Sequence, residues 1–518
     1  MQRPCSILSG IRHQHWAIQA CRVLSVVLLL PLTGCPSGTA PTAPSVSTKP
    51  FASVKLVVVC SDPHFVRQLT DRSSSWAGKT GASVRIESGR VESKAPQDVP
   101  QADLIVVHAN ELGGLAVKAE LVAVPAPLKA NNHPLQRARI VEIYRDTLPA
   151  WGSDVQGLPL FGDGFLVIYR ADRFAEEKHR VGFNKKYSRP LDAPTTWEDI
   201  AEIATYFAEA EGKPSLPPLP NQPDRLLTQF HQIAACYDRK ARSESNTSQK
   251  QDDGLAQTPA FHFQSGTWQP RIDSPSFKAA ATWLNQTHAL RMPSKPGEVD
   301  NPVAAIDTGS AVIAVLTLAE VAQLPKDPAT GAVSSRFQIA AMPGTRTYFN
   351  AAGKPEKTVG TGNYIPYLGS RTLIGAVRQA SPNQDAAWDL LADLASPTTS
   401  ITMLNDPIAG SGPFRREHVD QGRDPWLVYN FDPIRHQRFA DAMRSYVSLN
   451  VSNPTVVVRT PDQAALMAAL EAAVRRTAMG QQPPADAMQQ AANEWKALDA
   501  KQNPEELAKW RRNSVGLP

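Results

Sequence analysis

The sequence predicts an α/β fold whose sheets are mainly parallel and flanked by helices. Two short runs of apolar, β-branched residues, Val54–Cys60 (VKLVVVC) and Leu104–His108 (LIVVH), are typical of strands buried on both faces. Between them, residues 65–76 place apolar side chains at helical spacing, and Gly78 is a predicted stop. A strand, a helix and a strand in this order indicate a parallel sheet with crossover helices.

Further elements follow along the chain. Val84–Glu87 and Leu166–Arg170 are predicted strands. Thr195 and Glu198 are spaced as a capping box, with Thr195 at the N-cap, and predict an amphipathic helix that runs to Glu211.

More helices are predicted toward the C-terminus. Pro382 would be the first residue of one, with an apolar face in residues 387–394. Ala464–Val474 and Ala485–Leu498 are alanine-rich and also predict helices, whereas the polar residues 239–258 predict a surface loop. We find no internal repeat of about 20 to 50 residues, which argues against a solenoid.

The first 34 residues predict a bacterial lipoprotein signal peptide. Three arginines and no acidic residue make this leader basic, and its apolar run, residues 23–30 (VLSVVLLL), is too short to span a bilayer. The leader ends in residues 32–35 (LTGC), which resemble the lipobox in which the cysteine is acylated. We therefore expect Cys35 to be the lipid anchor. An ordinary cleaved signal peptide followed by a chance cysteine is the alternative.

Residues 35–50 are rich in Pro, Ser and Thr and predict a disordered tether.

The chain has 54 Lys and Arg, three of them in the leader, against 49 Asp and Glu. The mature part is therefore close to neutral, which does not indicate a nucleic-acid partner. We expect an exported protein that contacts the membrane only through its lipid.

Polar side chains follow the two buried strands at the points where these strands end. Asp62 and His64 come after the first strand, and Asn110 and Glu111 come after the second. Because ligands of parallel α/β sheets bind beyond the carboxyl ends of the strands, these four residues are predicted ligand contacts. Capping of the following helices by Asp62 and Asn110 is the alternative.

The same strand ends carry residue types that bind metals. Cys60, Asp62, His64 and His108 would lie together if the two strands are neighbours, and such a set could ligate a transition metal. No Cys-x-x-Cys or His-x-x-x-His spacing supports this site, and we predict neither a metal nor a cofactor. The spacing of Cys60 and Cys236 leaves open whether they form a disulfide.

Seven short segments, in a fixed order along the chain, carry a family resemblance. They are residues 157–174 (GLPLFGDGFLVIYRADRF), 196–200 (TWEDI), 309–315 (GSAVIAV), 341–344 (AMPG), 381–391 (SPNQDAAWDLL), 412–415 (GPFR) and 480–495 (GQQPPADAMQQAANEW). Each segment alone is a weak signal. In this order they resemble the family 1 extracellular solute-binding proteins, the group of the maltose-binding protein.

The resemblance implies a periplasmic-binding-protein-like fold of two α/β lobes, hinged around a central ligand cleft. Carried onto this sequence, the first lobe comprises residues 51–160 and 342–405. The second lobe comprises residues 161–341 and 406–518. The resemblance also implies a monomer that delivers its solute to the permease subunits of an ABC importer.

The remaining predicted ligand contacts combine flat aromatic rings with charged or amide groups, as a sugar requires. They lie in glycine-rich crossings and loops: Phe161, Asp163, Trp268, Asn363, Tyr364, Tyr367 and Arg415. Packing is the alternative for the aromatic residues, turn capping for Asp163 and a surface ion pair for Arg415.

The predicted function is therefore capture of a small polar solute, with a sugar or oligosaccharide favoured, by closure of the cleft. An envelope-anchored sensor or scaffold protein with the same fold is the alternative. Residues 410–412 (GSG) do not complete the G-x-S-x-G motif of a hydrolase nucleophile, and we predict that the protein is not an enzyme.

Overall fold

The computed structural model describes residues 49–89, 102–241, 261–294, 300–358, 360, 362–447 and 455–517. The predicted signal peptide, Cys35 and nearly all of the predicted tether lie outside the described residues. So does most of the predicted loop at 239–258. None of the helices in the described ranges has the length and apolarity needed to cross a lipid bilayer.

Twelve strands occur in the described residues. In chain order they are β1 Lys55–Cys60, β2 Ser83–Ser88, β3 Leu104–His108, β4 Ala150–Trp151, β5 Asp154–Val155, β6 Leu158–Phe161, β7 Phe165–Arg170, β8 Ile313–Thr317, β9 Phe337–Ala340, β10 Thr347–Phe349, β11 Pro355–Lys357 and β12 Leu373–Val377.

The helices of the described residues surround these strands. They are α1 Val66–Thr80, α2 Leu112–Val117, α3 Ala126–Lys129, α4 Ala171–Ala175, α5 Glu177–Tyr187, α6 Trp197–Glu211, α7 Pro223–Asp238, α8 Pro275–Gln286, α9 Pro302–Asp307, α10 Leu318–Val321, α11 Gln384–Leu394, α12 Pro397–Leu404, α13 Glu417–Asp420, α14 Pro433–Val447, α15 Gln463–Ala478, α16 Pro484–Asp499 and α17 Pro504–Asn513.

The first lobe is built on a five-stranded sheet in the order β2-β1-β3-β12-β6. β1 pairs in parallel with β2 and β3, as the sequence predicts, and α1 is the crossover between β1 and β2. β12 runs antiparallel to β3 and β6. The Trp76 indole of α1 donates to the Asp389 carboxylate of α11 at 2.7 Å, which fixes these two helices against each other.

The second lobe is built on a three-stranded sheet in the order β8-β7-β9, and β7 is antiparallel to both neighbours. The prediction of a mainly parallel sheet is therefore wrong for this lobe. β7 is buried along its whole length, and a strand covered on both faces is apolar whichever way its neighbours run. The two-lobe α/β fold itself is confirmed, while the residue boundaries of the lobes stay a prediction.

The predicted helices form, with shifted ends. α1 continues past Gly78 and stops at Gly81, whose φ of 81° is the left-handed conformation that glycine adopts readily. The capping box of α6 uses Thr196 and Asp199, one residue later than predicted. Thr195 also donates to the Asp199 carboxylate, from its backbone N–H and its hydroxyl, so one carboxylate fixes both threonines.

The C-terminal helices belong to the packing of the second lobe. α15 and α16 pack on each other, α15 packs on α7 and α8, and α16 packs on α8. Trp283 and Trp495 are buried there, and Trp388 is buried in the first lobe. The start of α15 is thereby held at a fixed place relative to the second sheet.

Candidate functional site

The carboxyl ends of β1 and β3 lie side by side, because these two strands pair directly. The Ser61 hydroxyl donates to Glu111 Oε2 at 2.8 Å, and the backbone N–H of His108 donates to the same oxygen at 2.9 Å. Glu111 therefore joins the two strand ends. The structure thus brings together the polar residues that the sequence places at this edge of the sheet.

The other two predicted residues of this edge lie at its rim. His64 is exposed, and Asp62 is partly exposed and accepts the backbone N–H of His64 at 2.8 Å. This contact is local to the turn before α1; the N-cap of that helix is Phe65, without a side-chain cap, so Asp62 does not cap it. One carboxylate oxygen takes part in the contact with His64, so the other can still act as an acceptor for a ligand.

A segment from far along the chain reaches the same edge. Asn110 Nδ2 lies 3.5 Å from Gln463 Oε1 at the start of α15. A Cβ added to Gly113 would lie 1.6 Å from the carbonyl oxygen of Arg459, so α2 and this segment pack in direct backbone contact. We call Ser61, Asp62, His64, His108, Asn110 and Glu111, together with Thr460, Asp462 and Gln463, the strand-end cluster.

Several polar atoms of the strand-end cluster are buried without a hydrogen-bond partner in the described part of the protein. They are His108 Nδ1, Asn110 Oδ1, Thr460 Oγ1 and both carboxylate oxygens of Asp462. An unpaired buried polar group costs about 1–3 kcal/mol, so groups of this kind occur where a ligand or water completes the bonding. The strand-end cluster therefore has the chemistry of a site for a hydroxyl-rich or amide-rich molecule.

Arg459 fixes the segment that carries Thr460 and Asp462. Its guanidinium is buried and donates to the carbonyl oxygens of Thr147, Leu148 and Ala150 at 2.5–3.0 Å. Burial lowers the pKa of Arg459 to about 9. This side chain ties the segment before α15 to the turn that precedes β4.

Asp163 lies in the crossing between β6 and β7 and is completely buried. Its two carboxylate oxygens accept five hydrogen bonds from the protein, with distances of 2.7–3.2 Å. The donors are the backbone N–H groups of Gly369 and Arg371 and the hydroxyls of Tyr144, Ser370 and Thr372. The prediction of a solute contact is corrected: Asp163 caps the turn before β12 and holds it to the crossing.

Two predicted aromatic contacts are covered by the protein's own side chains. Phe161 meets the edge of Phe65 at 5.7 Å, and the Arg371 guanidinium lies 5.7 Å from its ring centroid. Tyr367 stacks on His231 with ring centroids 4.7 Å apart. Both are 3% exposed, so they act as packing residues, which corrects their assignment as plates for a sugar.

Three more predicted contacts are buried and already bonded. The Asn363 amide accepts from Ala241 N–H and donates to the carbonyls of Cys236 and Arg239. Arg415 donates to three backbone carbonyls, those of Ala395, Leu135 and Gln136, and pairs with Glu417. Trp268 is buried in a turn with a φ of 57°. These residues stabilise the fold, and their assignment as solute contacts is corrected for that reason.

Tyr364 is the one predicted aromatic contact of the described residues that stays half-buried. It lines a small pocket with Gln232, Tyr446 and Trp197, next to the crossing. Burial raises the pKa of its hydroxyl well above the ordinary tyrosine value, so the hydroxyl is protonated at neutral pH. It remains a predicted contact.

The two cysteines of the described residues are free and buried. The Cys60 thiol donates to the carbonyl oxygen of Asp62, and burial raises its pKa to about 12. A thiol held in its protonated form is a poor metal ligand. Within the described ranges, no three His, Cys, Asp or Glu side chains converge as a metal site would require.

A larger cavity, which the sequence did not predict, lies in the second lobe between α6, α7, α8 and β8. It encloses about 760 Å³, counting its open mouth, and its walls include Trp197, Trp283, Arg225 and Arg291. Trp197 belongs to the predicted helix that runs to Glu211, but nothing in the spacing of that helix distinguishes a cavity wall from a packed core.

Comparison with known proteins fits this geometry. Residues 85–427 match the family model described as bacterial extracellular solute-binding protein. No curated protein matches the chain.

Solved structures share the fold at low sequence identity. Maltose-bound MalE3 of T. maritima is 15% identical, with a TM-score of 0.57 over 86% of this chain and 100% of that one. The sugar-binding protein MalE of Xanthomonas citri is 13% identical, with a TM-score of 0.60 over 86% and 98%. An ABC transporter solute-binding protein of Agrobacterium radiobacter K84, in complex with ribitol, is 17% identical, with a TM-score of 0.59 over 87% and 100%.

The family model covers more than half of the chain, and the solved structures share its fold. The protein belongs to the bacterial extracellular solute-binding protein family.

Proposed function

We propose that this protein captures a sugar, an oligosaccharide or a related polyol at the strand-end cluster and delivers it to an ABC importer. The fold is shared with proteins whose structures hold maltose or ribitol. A polyhydroxylated ring needs several donors and acceptors that converge from different directions, together with an adjacent apolar surface.

The observation that carries the proposal is a set of unpaired buried polar atoms at the end of β3 and in the segment that leads into α15, which Gln463 brings into contact with Asn110. Asn110 offers an amide oxygen, His108 a ring nitrogen and Asp462 a carboxylate. These groups come from segments separated by about 350 residues of sequence, as the Asn110–Gln463 contact shows. A solute that bonds to both sides would hold the two parts of the protein together.

Binding would then favour the closed arrangement of the lobes, because the solute contacts both lobes only when they are closed. In the proposed division, residues 51–160 and 342–405 form one lobe and residues 161–341 and 406–518 the other. The closed monomer would dock on the permease subunits. Binding proteins of this family present a solute without changing it, so we propose no catalytic step.

We also propose that the protein is exported and held at the membrane by acylation of Cys35. The basic leader, its apolar run and residues 32–35 (LTGC) support this assignment. Acyl chains contribute about 0.8 kcal/mol per buried methylene, which is sufficient for durable anchoring by more than one chain. Residues 35–50 would then be the tether between the lipid and the first lobe.

The test is a thermal-shift screen of the mature chain with mono- and oligosaccharides, polyols and amino acids. A solute present at about 100 times its Kd is expected to add about 2.7 kcal/mol to the free energy of unfolding. A screen in which no solute moves the melting curve would contradict the receptor function.

The position of the site is tested with the solute that the screen identifies. Asn110→Ala removes an unpaired acceptor and is expected to weaken binding about 3- to 10-fold. Asn184→Ala on the exposed side of α5 is the matched control and should leave the Kd unchanged. Equal affinity of both variants would place the solute elsewhere while leaving the receptor function intact.

A further inference from the structure

The cavity of the second lobe differs in chemistry from the strand-end cluster. Its walls are predominantly apolar and aromatic: Phe165, Trp197, Ile200, Leu216, Trp283 and Ile313, with three prolines between residues 217 and 220. Trp197 and Trp283 meet edge to face, with ring centroids 5.2 Å apart. Such walls suit a flat apolar body better than a hydroxyl-rich ring.

One charged group in this cavity has no countercharge. Arg291 is 9% exposed, and its Nε and Nη2 atoms are buried without a hydrogen-bond partner among the described residues. Its guanidinium lies 5.9 Å from the ring centroid of Trp283. Burial lowers the pKa of Arg291 to about 10, with no opposing contribution from a carboxylate, so the group is charged at neutral pH.

The other ionic groups on the cavity wall are already bonded. Arg225 forms a bidentate pair with Glu320 of α10. The Asp300 carboxylate accepts the backbone N–H groups of Asn221 and Gln222. Arg291 is thus the cavity's one cation without an anionic partner in the described part of the chain.

A buried guanidinium without a partner is costly, and a bound anion would offset that cost. The planar fork of arginine matches the two oxygens of a carboxylate, whereas a phosphate dianion would require further donors. We propose that this cavity is a second binding site, which takes a small aromatic carboxylate with its ring between the tryptophan and proline walls and its carboxylate on Arg291.

The second site is distinct from the strand-end cluster. α15 begins at Gln463, beside Asn110, and near its other end Arg475 donates to the carbonyls of Pro220 and Asn221 at the rim of the cavity. Twelve residues of helix separate Gln463 from Arg475, which corresponds to about 18 Å. The proposal therefore does not depend on a sugar binding at the strand-end cluster.

The test is calorimetric titration of the mature chain with phenylacetate and with phenylacetamide, which has the same shape but no charge. Phenylacetate is expected to bind, and phenylacetamide to bind at least about tenfold more weakly. Arg291→Met keeps the length of the side chain and should weaken phenylacetate binding about 10- to 100-fold. Its melting temperature is expected to equal or exceed that of the wild type, because an unpaired buried charge is removed.

A second variant tests whether the ligand occupies the volume of the cavity, independently of the charge of Arg291. Gln229→Trp on α7 would fill part of the cavity and should abolish phenylacetate binding while Arg291 is retained. Arg180→Met on the exposed face of α5 is the control and should bind as the wild type does. Absence of phenylacetate binding, equal binding of the amide, or unchanged binding by Arg291→Met would each overturn the proposal.

Discussion

Asp163→Ala is expected to lower the free energy of unfolding by about 4 kcal/mol, because it removes the acceptor of five buried hydrogen bonds. The backbone N–H groups of Gly369 and Arg371 and the Thr372 hydroxyl would then lack their acceptor in the protein. No water can replace a carboxylate at a completely buried position without a cavity that admits it.

Denaturant unfolding of the mature chain measures this effect. Asp163→Asn keeps the shape of the side chain but turns an amide N–H₂ toward hydrogen-bond donors. Its loss of unfolding free energy is expected to be smaller than that of Asp163→Ala. Asp441→Ala, at an exposed position of α14, should change stability by no more than about 0.5 kcal/mol. A loss below about 1 kcal/mol for Asp163→Ala would show that the turn before β12 does not depend on this carboxylate.

Acidification is expected to destabilise the protein through the buried pair His231 and His262, whose Nε2 atoms lie 3.1 Å apart. Burial lowers the pKa of His231 from 6.5 to about 3. Burial, the neighbouring imidazole and the Arg271 guanidinium lower the pKa of His262 well below 6.5. The ion pair between Arg271 and Asp238 lies beside this pair, and Tyr367 stacks on His231.

The direction follows from proton linkage. The unfolded chain binds protons below pH 6.5 while the folded protein does not, so stability is fully present above that pH and is lost as the pH falls toward 3. Between pH 7 and pH 4.5, His231 alone accounts for a loss of about 2.5 kcal/mol, and His262 adds to it.

Urea unfolding at both pH values tests this expectation. Over the same pH interval, the free energy of unfolding falls in the wild type. In the double variant His231→Gln, His262→Gln this fall should be smaller by at least about 2.5 kcal/mol. His288→Gln, at an exposed position, is the control, and its free energy of unfolding should fall as much as that of the wild type. If the double variant and the wild type had the same pH dependence, the two histidines would not be the groups that titrate.

The local pattern of the sequence was sufficient for β1, β2 and β3 of the first lobe, whereas β6 and β12 of the same sheet were not predicted. Val54–Cys60 predicts β1 almost to the residue, and the polar residues after β1 and β3 do meet, because parallel strands align their carboxyl ends. The antiparallel sheet of the second lobe could not be predicted in this way. β7 is covered on both faces, and its apolar run is the same for either strand direction.

The candidate site was predicted less well, for two physical reasons. A polar residue at a crossing bonds either a solute or the chain itself, and for Asp163, Asn363 and Arg415 the chain supplies the partners from positions distant in sequence. The converse holds for Thr460, Asp462 and Gln463. Gln463 contacts Asn110 at the start of α15, which packs on the second lobe, and no local spacing in the sequence indicates that contact.

Small-angle X-ray scattering of the mature chain, with and without a saturating solute from the thermal-shift screen, is the most direct test of a receptor whose lobes shut on their ligand. Closure predicts a smaller radius of gyration with the solute, and no such decrease with Asn110→Ala at a concentration that saturates only the wild type. A solute that stabilises the protein yet leaves its radius of gyration unchanged would contradict capture between the lobes.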